Sequence, residues 1–569
     1  MIEPDFDAIV IGAGFSGIYQ TYKLREAGFS VKGIEAAPDV GGVWFWNRYP
    51  GCRVDSESHT YGYFWLDELV EKFNWTERFA GQPEVLKYIQ TAADLMDIRK
   101  DYTFNQRVKG AKWDDDNKFW IVELEEGGSA PITARFLFSA MGPLSAPQMP
   151  NVPGVHTFKG EWYHTARWPR DPESNSGAKL DFSGKRVAVI GTGSSGVQII
   201  QEMAKVAGEL VVFQRSPNWC TPLGNGPLPA SELDHYRRNR EQLNDFLNTT
   251  FSGFAHKPIE KNAIDLSAEE REATYEELYK GPGFRLWQGN YQDSRTDPQS
   301  NELVSEFVRK KIRERVKNPR LADKLIPQDH GFGTRRVPLE TNYYEVYNQN
   351  NVSLVDLKET PLDRIEPTGI RTSDGQLREF DVIIYATGFY AIKGALCRFE
   401  VRGRDGRLLN DLWNEDGVKT YLGLQIANFP NFFTLVGPQN GTVFCNIPRC
   451  SVAAVDWVME MLEHARETGV LSIEPTAEAQ EQWNQSCYEL LEKSLIFKID
   501  SWLTGVNKNI RGANKREALF YAGGNPAFRA LCAEIAEDDY RGFVMTRIEN
   551  EVAPVSKTDL PELQPAPAG

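Results

Sequence analysis

The stretch that decides the fold is Asp7-Ala-Ile-Val-Ile11 followed by Gly12-Ala-Gly14-Phe-Ser-Gly17. An apolar run that leads into Gly-x-Gly-x-x-Gly predicts a strand, a tight glycine turn and a helix, the opening of a dinucleotide-binding unit. The first glycine makes the turn, the second lets a pyrophosphate approach the backbone, and the third lets helix pack on strand. Glu35 ends the next apolar run, where a carboxylate accepts hydrogen bonds from a ribose 2′-hydroxyl.

A second copy of this pattern lies farther along the chain. Arg186-Val-Ala-Val-Ile190 precedes Gly191-Thr-Gly193-Ser-Ser-Gly196, and Arg215 stands where the first copy has Glu35. A cation at this position suits the 2′-phosphate of NADPH, whereas a carboxylate such as Glu35 suits FAD or NAD. The two copies therefore predict an α/β fold with two Rossmann-like domains, one for FAD and one for NADP, in a flavoprotein that takes electrons from NADPH.

Composition narrows the class of protein. The net charge of −15 gives no electrostatic support for nucleic-acid binding. There is no run of eighteen apolar residues and no signal-peptide pattern, so we expect no transmembrane segment. The seven cysteines contain no Cys-x-x-Cys pair, which favours a reduced cytoplasmic enzyme over a disulfide scaffold, a flavin disulfide reductase or a zinc site. We expect a monomer or weak dimer.

Changes in periodicity and composition divide the chain into six predicted segments. They are residues 1–150, the first part of the FAD-binding domain; 151–225, the first part of the NADP-binding domain; 226–330, a helical insertion; 331–388 and 389–545, the second parts of the NADP- and FAD-binding domains; and 546–569, a Pro-rich tail expected to be disordered.

A longer motif lies between the two glycine patterns: Phe158-Lys-Gly160-Glu-Trp-Tyr-His164-Thr-Ala-Arg-Trp168-Pro169. It fits F-x-G-x-x-x-H-x-x-x-W-P at every fixed position, and in this the chain resembles the Baeyer–Villiger monooxygenases. The resemblance covers roughly residues 7 to 545. Flavin monooxygenases that oxidise nitrogen or sulfur carry a similar motif that does not end in Trp-Pro.

Four further segments carry the same resemblance. They are Gly41-Gly-Val-Trp44-Phe-Trp46 with the residues that follow to Asp55, Gly333-Thr-Arg335-Arg336, Ala386-Thr-Gly388-Phe389, and Ser501-Trp502-Leu-Thr-Gly505. The resemblance implies an enzyme that uses NADPH and O2 to insert one oxygen atom into ketones through a flavin C4a-peroxide, giving esters or lactones. Sulfoxidation of thioethers is an expected side activity.

The resemblance assigns catalysis to Arg336 and Asp55. A developing oxyanion needs a fixed positive charge in a water-poor site, and arginine stays protonated and offers a rigid fork of donors. Asp55 would orient Arg336 and balance its charge, since an unpaired buried guanidinium is costly. Without the resemblance, Arg336 is best interpreted as part of a surface salt bridge.

Aromatic and histidine positions leave alternatives open. Trp44, Trp46 and Tyr61 are predicted to contact the flavin, and Trp502 is predicted to contact NADP. The alternative for each of these residues is packing in the core. For Trp168, core packing is favoured. His164 invites assignment as a general base, but its place in a linker favours a hinge that couples NADP binding to domain motion.

The remaining site predictions follow the same motifs. The stretch from Gly437 to Cys450 matches the position of the family's substrate loop, with Ile447 in the pocket, but its composition differs, so pocket shape does not transfer. Arg215 and Ser216, together with Arg335, are expected to bind the 2′-phosphate of NADPH. Further cofactor contacts are assigned to Ser16, Val43, Phe45, Arg53, Asp55, Val108, Thr192, Ser194, Ser195 and Gln198 beside the fingerprint glycines.

Two other functions remain open. A nitrogen- or sulfur-oxidising flavin monooxygenase would share both glycine patterns, but Trp168-Pro169 and the pair Arg335-Arg336 speak against it. A redox-sensing module without turnover would not need Arg336 or Asp55. A ketone that raises NADPH consumption and yields an ester distinguishes the oxygenase from both.

Overall fold

The computed structural model describes residues 2–125, 130–172, 176–441, 445–510 and 512–547. The tail predicted to be disordered lies outside these residues from position 548 onward. The strands are β1 (Phe6–Ile11), β2 (Val31–Ile34), β3 (Tyr102–Thr103), β4 (Val108–Asp114), β5 (Phe119–Leu124), β6 (Ile132–Ser139), β7 (Glu161–His164), β8 (Arg186–Ile190), β9 (Glu209–Gln214), β10 (Thr221–Pro222), β11 (Leu339–Glu340), β12 (Val352–Asp356), β13 (Leu362–Glu366), β14 (Gly369–Thr372), β15 (Leu377–Glu379), β16 (Val382–Tyr385), β17 (Glu400–Arg402), β18 (Phe432–Thr434), β19 (Val470–Pro475) and β20 (Phe543–Arg547).

The helices are interspersed with these strands along the chain, and six of them follow one another between β10 and β11. They are α1 (Phe15–Glu26), α2 (Val43–Trp46), α3 (Asp67–Lys72), α4 (Gln82–Leu95), α5 (Ser194–Val206), α6 (Ala230–Arg238), α7 (Arg240–Asn248), α8 (Ala268–Lys280), α9 (Arg285–Gln288), α10 (Pro298–Arg315), α11 (Pro319–Leu325), α12 (Leu409–Asp416), α13 (Ile447–Glu467), α14 (Ala477–Glu492) and α15 (Asn525–Glu537).

The first glycine pattern lies in an eight-stranded sheet. Its order is β17-β4-β5-β6-β1-β2-β3, and β18 also pairs with β6. The strands next to the glycine turn, β1, β2 and β6, are parallel, whereas β4 and β5 pair with each other antiparallel. Strands β17 and β18 come from beyond residue 389, so the late part of the chain returns to this sheet as the sequence predicted.

The second glycine pattern lies in a five-stranded parallel sheet of order β12-β9-β8-β16-β7. Here β12 and β16 flank the strands that carry the fingerprint, as predicted. The motif that contains His164 supplies the edge strand β7, which pairs with β16. The motif is therefore built into the second sheet and is more than a linker. Together the two sheets confirm the predicted fold class.

Helices α6 to α11 occupy residues 230–325, where the sequence predicted a helical segment. Small sheets were not predicted: β13, β14 and β15 form an antiparallel sheet, and β10 pairs with β11. None of the helices formed by the described residues combines the length and apolar character needed to cross a bilayer. Within the same residues, His, Cys, Asp and Glu side chains do not group as a metal site.

One expectation about cysteines needs correction. The structure pairs Cys445 with Cys450, whose Cα atoms are 6.4 Å apart, a separation within the range of disulfides. A search for Cys-x-x-Cys misses this pair because four residues, not two, lie between the cysteines. The other cysteines are free.

Candidate active site

The first glycine turn has the geometry that a dinucleotide requires. Gly12 has a φ of 107°, and a Cβ there would lie 2.7 Å from the Ala140 carbonyl oxygen, so only glycine fits. Glu35, at the end of β2, is 6% exposed. Its carboxylate accepts hydrogen bonds from the backbone N–H groups of Ala13 and Ala37, both at 2.7 Å. Glu35 is thus fixed beside the turn, with further lone pairs available to a ribose.

The second glycine turn repeats this arrangement and is open on its outer side. Gly191 has a φ of 109°, whereas nothing lies within 4 Å of a Cβ placed on Gly193. The hydroxyl of Thr192 donates to the Ser216 carbonyl at 3.0 Å, which ties the turn to the end of β9. The open face at Gly193 and the N-terminus of α5 fit a pyrophosphate.

Arg215 and Arg335 lie near each other at this end of the second sheet. Arg215 has no hydrogen bond or ion pair with the described residues, and the buried Nε of Arg335 is also without a partner. Partial desolvation and the neighbouring Arg335 charge lower the pKa of Arg215. Asp329 stands 3.7 Å from Arg335. Asp329 and Asp500 offset part of the Arg335 charge, and the two neighbouring guanidinium groups together fit the dianionic 2′-phosphate of NADPH.

The segment after Gly41 crosses the first glycine turn. Gly42 has a φ of 54°, and a Cβ there would lie 2.7 Å from the Gly14 Cα. Its successor Val43 is 38% exposed, and the Trp44 indole donates to the Tyr61 hydroxyl at 3.2 Å. Backbone, indole and phenol therefore meet above the turn, as a flavin contact requires.

Arg336 and Asp55 form an ion pair although 281 positions separate them, with the Arg336 Nη2 and Asp55 Oδ2 atoms 2.5 Å apart. Their side chains are 28% and 29% exposed, so the charge is sheltered but reachable. The Arg336 guanidinium carbon also lies 5.3 Å from the centre of the Phe284 ring, a cation–π distance. The sequence predicted the ion pair; Phe284 was missed, and no motif signals it.

Three residues connect the two glycine-turn units: the predicted contacts Gln198 and Arg53, and Tyr49, which the sequence analysis missed. Gln198 of α5 accepts from the Tyr49 hydroxyl at 2.7 Å and donates to the Arg53 carbonyl at 3.2 Å. The Arg53 guanidinium is instead bound to Glu77 at 2.9 Å. A cofactor contact from Arg53 would therefore come from its backbone, and Tyr49 joins the candidate residues.

His164 is buried, with 4% of its surface exposed. Its Nδ1 accepts from the Ala166 N–H at 3.1 Å, so Nε2 carries the proton and faces the Thr387 hydroxyl at 3.5 Å. Thr387 donates to the Gln148 carbonyl at 2.6 Å. Burial lowers the pKa of His164 to about 4. A neutral imidazole in this chain of hydrogen bonds fits a hinge better than a general base.

Trp502 and Ile447 lie on segments that reach this region. Trp502 opens a 3₁₀ turn within a loop that Asn507 fastens by donating to the Phe389 carbonyl at 3.1 Å. Ile447 begins α13, and the preceding Asn446 donates to the Thr60 carbonyl at 3.1 Å. Ile447, the predicted pocket residue, therefore lies next in sequence to Asn446, which is hydrogen-bonded to the neighbour of Tyr61. Residues 442–444 of the predicted substrate loop lie outside the described residues.

The other predicted contacts are placed as follows. Ser16 is buried at the start of α1, Phe45 packs with Ala37 and Leu86, and Val108 is in the core at the start of β4. Trp46 lies 4.4 Å from the Arg167 guanidinium of the His164 motif. Trp168 packs between Tyr163 and Phe182, in agreement with the core role favoured for it.

Comparison with known proteins identifies the family to which this chain belongs. A family model described as pyridine nucleotide-disulphide oxidoreductase matches residues 6–226, the part that holds both glycine turns. The 2-oxo-Delta(3)-4,5,5-trimethylcyclopentenylacetyl-CoA monooxygenase of Pseudomonas putida is 46% identical over 540 residues, which are 95% of this chain and 98% of that protein. The acetone monooxygenase (methyl acetate-forming) of Gordonia sp. (strain TY-5) is 41% identical over 541 residues, 95% of this chain and 99% of that protein.

Solved structures show the same relationship. The crystal structure of OTEMO in complex with FAD and NADP is 46% identical in sequence, with a TM-score of 0.92, over 96% of this chain and all of that one. The similarity therefore extends over both sheets and the segments between them. With this identity and coverage, the chain belongs to the Baeyer–Villiger monooxygenases, flavoproteins that use FAD and NADPH.

Proposed function

We propose that Arg336, held by Asp55, stabilises the negative charge that develops when this enzyme inserts an oxygen atom from O2 into a ketone. The observation that carries the proposal is the ion pair at 2.5 Å close to the segment that crosses the flavin-binding turn. The inserted oxygen turns ketones into esters or lactones. Product mass from a panel of linear, cyclic and aryl ketones, with NADPH consumption, tests the function.

The geometry gives each member of the pair a task. Arg336 would offer N–H donors to the carbonyl oxygen of a bound ketone, and because its charge is in place before the reaction, little reorganisation is needed. Asp55 holds one side of the guanidinium and leaves other N–H groups available. The ring of Phe284 at 5.3 Å excludes water from this side and strengthens the local field.

The two cofactors have separate sites. When bound, NADPH supplies electrons and FAD activates O2. Glu35 and the turn Gly12 to Gly17 would hold FAD, while Gly193, Arg215 and Arg335 would hold NADP through its phosphates. Trp502 has an indole N–H without a partner among the described residues and would donate it to a nicotinamide ribose hydroxyl.

The substrate class follows from the relatives. One relative is named for acetone and another for a cyclopentenylacetyl-CoA ketone, so ketones of very different size are accepted by similar chains. Ile447 and the segment around it would set the shape of this pocket. Thioether sulfoxidation stays an expected side activity, and cytoplasmic location and a monomeric or weakly dimeric state stay proposals that fractionation and light scattering would test.

Replacement of His164 by alanine tests the hinge. We expect slower oxygenation, weaker retention of NADP⁺ and more hydrogen peroxide released per NADPH oxidised, with FAD still bound, because Glu35 and the first glycine turn belong to the other sheet. Stopped-flow spectroscopy and peroxide assays measure these effects. If ester formation is lost while the release of hydrogen peroxide per NADPH does not increase, His164 takes part in the chemistry instead.

The pH dependence of His164 provides a second prediction. Because its pKa in the folded protein is about 4, below the ordinary value near 6.5, the neutral form is the stable one. Its contribution to stability is complete above about pH 6.5 and decreases as pH falls toward 4. Urea denaturation of the parent and of His164→Gln should therefore diverge in that window and run parallel above it. A step in activity between pH 7 and 9 that His164→Gln removes would contradict this.

A further inference from the structure

A second acid–base pair lies beside the Asp55–Arg336 ion pair. Glu57, two residues after Asp55, is 8% exposed, and its Oε1 atom lies 3.4 Å from Nε2 of His256. The His256 side chain is also nearly buried. Glu57 precedes a 3₁₀ turn at Ser58–Thr60, whereas His256 lies between α7 and α8. The pair therefore joins the segment of Asp55 to the helical part of the chain.

Glu57 is incompletely satisfied in this position. Its Oε2 atom is buried and has no hydrogen-bond partner, so His256 is the main source of compensation for the carboxylate. His256 and, more weakly, His59 offset the effect of burial on the pKa of Glu57 and leave it below its ordinary value. A buried carboxylate loses much of its support when the side chain paired with it is removed. The contact between Glu57 and His256 therefore holds the segment of Asp55 against the loop between α7 and α8.

Gly283 and Phe284 connect the Glu57–His256 pair to Arg336. A Cβ at Gly283 would lie 3.2 Å from the Glu57 Oε1 atom, and Gly283 has a φ of 69°, so this approach requires glycine. The next residue, Phe284, lies under the Arg336 guanidinium. Its ring also packs on Trp287 at 5.1 Å.

Trp287 completes the connection to the arginine segment. Its indole N–H donates to the Gly333 carbonyl at 3.1 Å, three residues before Arg336. The helical segment therefore contacts the arginine segment at two points: the Phe284 ring lies against the Arg336 guanidinium, and the Trp287 indole binds the Gly333 carbonyl. Glu57 and His256 fasten that segment at its contact with Gly283.

We propose that Glu57 and His256 are a positioning pair that holds residues 254–287 against Arg336, and so keeps water away from the charge that acts on the ketone. Neither residue touches the reacting atoms. Their effect passes through Phe284 and Trp287, which define one wall of the site. The proposal rests on the catalytic role of Arg336, which the Arg336→Ala variant tests independently of the Glu57 variants.

Glu57→Gln, His256→Gln and the double variant test the pair in the FAD-loaded enzyme. We expect kcat for ester formation, counted per bound flavin, to fall about tenfold in each single variant, because small displacements of a charged group are costly. Peroxide released per NADPH should rise, while the KM for NADPH stays within about twofold. The double variant should be no worse than the single ones, since both remove one interaction.

Glu474→Gln is the matched control. Glu474 is a similarly sheltered carboxylate paired with Arg404, in β19 and away from Arg336, and its loss should leave kcat and coupling unchanged. Flavin content and thermal unfolding of every variant separate positioning from folding. The proposal is overturned if Glu57→Gln keeps parental kcat and coupling, if the two losses add in the double variant, or if activity per bound flavin is unchanged.

Discussion

Arg336→Ala is expected to abolish ester formation while NADPH still reduces the flavin at least in part. Removing a preorganised donor to a developing oxyanion costs about 10²- to 10³-fold in turnover, and here the donor is also the fixed charge of the site. Hydride transfer depends mainly on how the two dinucleotides are positioned, to which Arg336 contributes little. Anaerobic reduction followed by stopped flow, and product analysis under O2, measure the two steps separately.

Two further variants sharpen this prediction. Asp55→Asn keeps the shape of the partner but removes its charge, so it should lower turnover less than Arg336→Ala. Arg364→Ala is the control for loss of an arginine, because Arg364 is half exposed and pairs with its neighbour Asp363. An Arg336→Ala enzyme that forms ester at close to the parental rate would show that another group stabilises the charge.

The elements predicted from sequence are those with a local signature. Each glycine pattern specifies a strand, a turn and a helix within some twenty residues, and the structure has β1 with α1 and β8 with α5 at those places. The Asp55–Arg336 contact was also foreseen, but only through resemblance to a family. Nothing in the residues around either position indicates that the fold brings together two residues 281 positions apart.

The surroundings of Arg336 show why the rest could not be predicted. Phe284, Trp287 and His256 belong to a helical stretch whose amphipathic pattern fixes helices but not the surface on which they pack. The unpartnered oxygen of Glu57 likewise depends on burial created by distant segments. Such contacts depend on tertiary packing between remote parts of the chain, which a single sequence does not encode as a pattern.

The choice of nicotinamide cofactor should depend on Arg215 to a degree that can be measured. Its guanidinium has no partner among the described residues, and burial together with the nearby charge of Arg335 lowers its pKa. A bound 2′-phosphate would relieve this repulsion, and NADH has no such group. Losing one charge-assisted contact costs roughly 2 kcal/mol, or about 30-fold in affinity.

Arg215→Ala is therefore expected to raise the KM for NADPH about 30-fold and to leave the KM for NADH within about twofold of the parental value. Because Arg335 remains, some preference for NADPH should persist, and Arg215→Ala combined with Arg335→Ala should bring the two cofactors close to equality. Steady-state kinetics with saturating ketone measure this directly. The result that would refute the assignment is an equal loss with both cofactors, since a residue that reads the 2′-phosphate cannot affect NADH as strongly. Raising ionic strength gives an independent check: it should weaken NADPH binding in the parent more than in Arg215→Ala, because part of the attraction is between exposed charges that salt screens.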